Sequence, residues 1–365
     1  MADPDHDWNK MPWWCWAAPL AAAALVIAKF AHLLAPDSAV MIILAILFLG
    51  ITVFAAVHHA EVLAVRIGEP FGSILLALAI TTLEVGLIIS VMASGSNGSE
   101  AVARDTVYSV VMIVLNGIVG LCLVVGAARH YEQEFRVQGA VGILSVIATL
   151  AIVSLILPNF TLTTVGPTYA PSQLIFVGAV SLGLYVLFVF VQTVRHKADF
   201  IIEYAVSGHG VKPNARSTIL STILLVISLV VVILLAKTLS PVVEAGVIRT
   251  GLPLAVVGVV IATVVLLPEG VTAMKAAKHN RLQTSLNASL GSAAASIGLT
   301  VPIVGVASVI MGQPLVLGLG AEDMVLLLLT LFVSTLTFAT GRTTVLQGAV
   351  HLVIFGIFLF LTAVP

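Results

Sequence analysis

Apolar residues in this chain neither alternate nor return once per helical turn. They come in blocks of about twenty, broken by short clusters of charge, glycine and proline. A helix needs roughly 20 apolar residues to cross a hydrocarbon core about 30 Å thick. By that rule the pattern predicts eleven membrane spans. They lie near 14–35, 37–58, 70–95, 104–127, 138–158, 172–194, 216–237, 252–276, 285–311, 322–339 and 343–363. Between the first two, only Pro36 and Asp37 mark a turn.

Composition agrees with lipid as the solvent. Of 365 residues, 60% are hydrophobic and only 9% charged, where a soluble domain carries about 25% charged residues. The net charge of −1 comes from charges at segment ends rather than in patches and gives no sign of nucleic acid, which is not expected as a partner. Cys15 and Cys122 fit no metal or disulfide spacing and read as packing residues. Asp3, Asp5 and Asp7 make the N-terminus too acidic for a signal peptide. Trp13, Trp14 and Trp16 resemble an interfacial aromatic belt.

Lysine and arginine test the span count independently. With a cytoplasmic N-terminus and eleven alternating spans, Lys10, Arg66, Arg129, Arg136, Arg195, Lys197, Lys212, Arg216, Lys275, Lys278, Arg281 and Arg342 fall on the cytoplasmic side. Only Lys29, Arg104, Lys237 and Arg249 fall opposite. That is the asymmetry of the positive-inside rule, and it puts the C-terminus on the other side. The longest polar connection, 195–215, separates five spans (37–194) from another five (216–365). Five is odd, so the two halves run in opposite senses, the inverted-repeat plan of many secondary transporters. The predicted fold class is therefore an all-α polytopic membrane protein: eleven transmembrane helices, as two inverted five-helix repeats plus an extra N-terminal helix within residues 1–36.

Of 17 acidic residues, nearly all fall in loops or at span ends; the two that do not are Glu84 in the third span and Glu269 in the eighth. A charge at mid-membrane costs at least ~2.5–3.5 kcal/mol on insertion scales, so such a residue marks function by default. Each is in the second span of its half, and a pseudo-two-fold would bring them together near the midplane. Ser73, Ala77, Thr81 and Glu84 share a helix face. Pro268 frees a carbonyl one turn before it, a cation ligand where it lines a cavity. The span after each glutamate carries a matching stripe: Asp105, Ser109, Met112, Asn116 and Gly120, then Ser285, Ser289, Ser292, Ser296 and Thr300. Either stripe can line a cation pathway or let helices pack closely. Thr81, Ser109, Asn116, Pro268, Ser292 and Ser296 are the candidate lining or ligating residues around Glu84 and Glu269.

Two carboxylates can be discharged by two protons or by one divalent cation, which gives a physical basis for exchange. Ca²⁺ takes 6–8 oxygens, of which two glutamates supply up to four. A monovalent ion could bind with one glutamate still protonated, so charge counting leaves the ion open.

The stretches RIGEPFGSILLALAITTLEVGLI (66–88), LLPEGVTAMKAAKHNRL (266–282) and SLGSAAASIGLTVP (289–302) resemble the cation/Ca²⁺ exchanger superfamily. The likeness is to its bacterial calcium/proton antiporter branch, which includes sodium-potassium/proton antiporters. The resemblance implies a secondary antiporter with no cofactor. Glu84 and Glu269 would be its cation- and proton-binding carboxylates, exporting Ca²⁺ for H⁺. Departures keep Na⁺ or K⁺ as the alternative cargo: Thr81 and Leu266 stand where many Ca²⁺/H⁺ exchangers have asparagine, Gly270 where many have histidine, and Ala295 where a glutamine is common.

Other classes fit less well. His58, His59 and Glu61 lack the HExxH spacing of an intramembrane metalloprotease and sit at a predicted span end, and no Gly-x-Ser-x-Gly elbow or Walker loop occurs. A cation channel is usually a symmetric oligomer rather than one duplicated chain. Thr343, Gln347 and His351 form a polar stripe on the last span, a pH sensor or a hydrogen-bonded packing group. Arg342 reads as a snorkelling anchor. Glu322 with Asp323, and Glu69 with Pro70, read as helix starts. The short chain without long tails suggests a bacterial inner membrane, with lipid and small cations as partners.

Overall fold

The computed structural model of the chain describes residues 11–32, 38–68, 71–93, 95, 98–200 and 212–365, without the side chains of Ser73, Lys197 and Ala198. The acidic N-terminal run, Pro36 with Asp37, Glu69 with Pro70, and residues 201–211 of the hydrophilic connection lie outside the described residues.

Eleven helices among the described residues are long and apolar enough to cross a membrane. They are α1 (Trp13–Phe30), α2 (Ala39–Ile67), α3 (Phe71–Met92), α4 (Val102–His130), α5 (Val137–Phe160) and α6 (Pro171–Arg195). Then follow α7 (Ala215–Arg249), α8 (Ala255–Lys278), α9 (Leu282–Met311), α10 (Ala321–Phe338) and α11 (Val345–Ala363). Each predicted span has its helix.

Two boundaries differ from the prediction by nine residues or more. α2 continues nine residues past the expected end at 58, so His58, His59 and Glu61 lie within the helix. Nothing between Ile51 and Ile67 breaks it, and it stops only at Gly68, whose φ of +80° suits a residue without Cβ. α7 likewise runs through Lys237 and Pro241 to Arg249. At 1.5 Å per residue these helices are about 44 and 52 Å long, well beyond a ~30 Å hydrocarbon core. Their ends therefore extend into the interfacial layers or the helices tilt.

The helices form two compact units: α1, α2, α3 and α7 in one, and α4–α6 with α8–α11 in the other. In the first unit, Ala22, Leu25 and Val26 of α1, Met41 and Ala45 of α2, and Val231, Leu235 and Leu239 of α7 make one core. The Arg66 guanidinium donates to the Pro213 carbonyl (3.2 Å).

The second unit is built around glycines that let backbones approach, the usual currency of helix association in lipid. Gly298 and Gly305 of α9 accept Tyr185 and Leu174 of α6. Gly348 of α11 lies against the backbone of Val124 in α4, and Gly258 of α8 against Asp105 and Thr106 of α4. A Cβ at Gly258 would stand 2.8 Å from the Asp105 carbonyl carbon. Gly258→Val is therefore expected to separate α4 from α8 and to cut the yield of monodisperse protein severalfold in fluorescence-detected gel filtration. Gly142→Ala, which meets nothing within 4 Å, serves as the control.

Connections placed on one side of the membrane by the sequence meet each other here. Gln133 and Glu134 (β1) pair antiparallel with Arg342 and Thr343 (β2). The Gln133 amide also donates to the Ala277 carbonyl (2.9 Å) and to Asn280 Oδ1 (3.0 Å). At the other ends, Val316 N donates to the Glu100 carbonyl (3.0 Å) and Gly318 N to the Pro167 carbonyl (3.0 Å). Such contacts require the seven helices of this unit to alternate in direction as predicted.

Candidate functional site

In the first unit, α3 presents Glu84 with only 2% of its surface exposed, and Thr81, at 4%, one turn earlier on the same face. α3 packs against α2 and α7. Gly86 admits Ile233 of α7: a Cβ there would lie 2.7 Å from Ile233 Cγ1. The helix bearing the carboxylate is thus fitted closely to its neighbours by a missing side chain.

In the second unit, Glu269 follows Pro268 within α8. One of its carboxylate oxygens, Oε2, is closed to solvent. Proline at 268 leaves the carbonyl of Val264 without its helical donor, and the Thr272 hydroxyl donates to the Pro268 carbonyl (3.0 Å). α8 packs against both α4 and α9, so the carboxylate's helix is flanked by the two helices that carry the polar stripes. Gly270 is matched to its surroundings. A Cβ there would come within 3.3 Å of the Ile118 side chain, so a larger residue at 270 requires that side chain to give way.

The stripe on α4 is used unevenly. Asp105 is paired with Arg104, Nε to Oδ1 at 2.7 Å, and Arg104 also reaches the Gly318 carbonyl (3.4 Å). The Ser109 hydroxyl donates back to the Asp105 carbonyl (2.5 Å), keeping an oxygen lone pair for another partner. Met112 and Asn116 lie fully buried, and Asn116 falls in a π-turn, Ile113–Ile118, which widens α4 in mid-membrane.

Asn116 is committed to a buried polar chain. Its Nδ2 donates to Thr330 Oγ1 (2.9 Å), and its Oδ1 lies 3.1 Å from His351 Nδ1. His351 Nε2 stands 3.1 Å from Thr337 Oγ1, and Thr330 Oγ1 is 3.4 Å from Met112 Sδ. One proton arrangement satisfies every member: Thr337 donates to Nε2, Nδ1–H to Asn116, and Asn116 to Thr330. The amide is thus a structural link between α4, α10 and α11. His351 is the hydrogen-bonded packing group, and its expected stripe does not form. Thr343 belongs to β2, and Gln347 caps α11 by accepting from Thr344 N (2.6 Å). Sequence reasoning missed Thr330 and Thr337, although Thr330, Ser334 and Thr337 recur at intervals of 4 and 3 on α10, and all three are buried.

On α9 the stripe is deeply buried except at the half-buried Ser292. Ser285 donates to the Ala273 carbonyl of α8 (2.9 Å). The Ser289 hydroxyl, 1% exposed, has no hydrogen-bond partner among the described residues. It is the residue of this stripe with an oxygen left over. Ser296 is also buried. Leu266 and Ala295, where the resemblance leads one to expect amides, are buried apolar residues.

Comparison with known proteins gives a consistent answer. The profile of the family described as sodium/calcium exchanger protein matches residues 37–194 and 220–364. The candidate ionic transporter y4hA of Sinorhizobium fredii is 51% identical over 97% of each chain. The sodium-potassium/proton antiporter ChaA of Escherichia coli is 35% identical over 87% of each. Among solved structures, native YfkE superposes with a TM-score of 0.73 at 20% identity, covering 96% of this chain and 100% of that one. The H⁺/Ca²⁺ exchanger CAX follows at 0.66 and 14%, covering 94% and 87%. At these identities the two structures establish the fold: eleven helices with inverted repeats.

Proposed function

Since the chain belongs to the sodium/calcium exchanger protein family, we propose that it exports Ca²⁺ in exchange for protons, with Glu84 and Glu269 carrying both. The observation that carries this reading is one mid-span glutamate in the second helix of each matched segment. Each is set among small or hydroxyl-bearing residues: Thr81 beside Glu84, and Ser109, Ser292 and Ser296 on the helices that flank Glu269's. Two carboxylates hold two negative charges, and two protons or one divalent ion balance them equally. Each substrate therefore occupies what the other vacates, and an unladen, doubly charged protein resists the change of access.

Na⁺ or K⁺ exchange for protons is the second reading. It is favoured by the relative named for sodium and potassium, and by the apolar Leu266, Gly270 and Ala295. These positions offer no side-chain oxygen to complete the 6–8 ligands of Ca²⁺. Pro268 contributes through the carbonyl it frees. We place the N-terminus in the cytoplasm on the strength of the lysine and arginine asymmetry, and the bacterial sources of the two relatives support a bacterial inner membrane. The gradient then drives protons inward and the cation out.

The test is cation-evoked proton movement in proteoliposomes carrying an internal pH dye under an imposed pH gradient. Ca²⁺ is expected to release protons at a far lower concentration than Na⁺ or K⁺. A response confined to the monovalent ions would leave the antiporter and replace its cargo. Silence with all three would remove the antiport reading.

A further inference from the structure

α1 lies outside the segments matched by the exchanger family, yet it is fastened to α2 and α7 by a specific device. Pro19 sits inside α1. Having no N–H, it leaves the carbonyl one turn earlier, that of Cys15, without its helical donor. That carbonyl is taken instead by His59 of α2, whose Nε2 stands 3.0 Å from it. A carbonyl only accepts, so Nε2 carries the proton and Nδ1 is the acceptor. Nδ1 lies 3.3 Å from the Ser221 hydroxyl of α7, which supplies that hydrogen. Cys15, Pro19, His59 and Ser221 are all buried. At the other end of α1, Lys29 Nζ donates to Thr238 of α7 (2.8 Å). One imidazole thus joins three helices at a backbone position that a proline left open.

Adjacent turns of the same helices carry the effect toward Glu84. Ala56, Val57 and Ala60, near His59 on α2, line one small apolar pocket with Leu225 of α7, one turn from Ser221, and with Ile80 and Leu83 of α3. Leu83 is the immediate neighbour of Glu84. The α2 residues there are short or β-branched and have little rotamer freedom to absorb a shift between α2 and α7, so a change in their spacing passes to α3.

We propose that His59 is a positioning residue: by tying α1 and α7 to α2 it fixes the wall on which α3 holds Glu84. The link to transport rests on the antiport reading; the fastening itself does not. His59→Ala removes both hydrogen bonds. His59→Gln can keep them, because its amide offers a donor and an acceptor. Pro19→Ala restores the N–H that competes for the Cys15 carbonyl and leaves α2 untouched.

Two measurements are made on the full-length protein. In detergent, thermal unfolding is followed for His59→Ala, Pro19→Ala and the double variant. The expected result is a Tm lowered by about 3 °C or more in His59→Ala, and coupling in the double variant. Additive effects would overturn the fastening whether or not the protein transports. In proteoliposomes, His59→Ala is expected to raise the cation KM at least about threefold at similar maximal rate, and His59→Gln to restore it. An unchanged KM in His59→Ala, with exchange working in the wild type, would overturn the positioning role alone. Absence of exchange in the wild type would overturn both the antiport reading and the positioning role, leaving the fastening to stand on its thermal coupling.

Discussion

Glu269→Gln and Glu84→Gln are each expected to lower cation-evoked proton movement by at least about 100-fold while the protein remains folded in the membrane. Glutamine keeps the shape and most of the hydrogen-bonding capacity of glutamate, but it can neither ionise nor release a proton. A single charged interaction lost from the transported state is worth about 2–3 kcal/mol, which alone corresponds to some 30- to 150-fold. Loss of the proton-carrying group stops coupling outright. Stability is expected to hold or rise, because a charge at mid-membrane is itself costly. The measurement is the same vesicle assay, with folded protein verified by gel filtration. Full activity in either variant would dismiss that glutamate as a carrier. Loss of Ca²⁺ exchange with Na⁺ exchange retained would assign the two ions different carboxylate requirements.

His351→Leu is expected to lower the Tm in detergent by about 3–8 °C, a large effect for a single change away from the two glutamates. His351 lies fully buried between Asn116 and Thr337. Removing it orphans an amide oxygen and a hydroxyl, at about 1–3 kcal/mol each, and at an unfolding entropy of about 2.1 cal/mol/K per residue a change of about 1 kcal/mol moves the Tm of a chain of 365 residues by roughly 1.3 °C. Replacing both ends with apolar groups lifts part of the penalty, because no buried polar atom then stands facing a hydrocarbon. The double variant Asn116→Leu with His351→Leu should therefore be less damaged than the sum of the two singles. An additive outcome would mean the chain is not a cooperative unit. Asn116→Leu with unchanged stability and a raised cation KM would return Asn116 to the lining of the cation pathway.

Much of this architecture was written in the pattern of blocks. Eleven spans, their alternation and the two lone carboxylates depend on length, hydropathy and charge, which are properties of short stretches of chain, and lipid enforces them strictly. Even so, Gly68, rather than the end of the apolar block, decides where α2 stops. Pro19, Pro268 and Pro302 sit inside helices, as the predicted spans have them, and Pro241 lies inside α7 beyond the predicted end at 237. In a bundle, a neighbouring helix can take the carbonyl a proline frees, as His59 does at Cys15.

The fate of a polar residue within a span could not be read in advance. Ser109, Asn116, Ser289 and His351 look alike in sequence, as hydroxyl, amide or imidazole groups on apolar helices. Asn116 and His351 neutralise one another, Ser109 turns back on its own helix, and Ser289 keeps a hydroxyl in hand. The pairing of Asn116 with His351 is completed by Thr330 and Thr337, more than two hundred residues from Asn116 along the chain. By itself the sequence determined the spans, their directions and the two carboxylates, because transfer from water to lipid is summed locally. Tertiary structure alone decided which polar groups remain available, because a hydrogen bond is settled by whichever partner comes within about 3 Å.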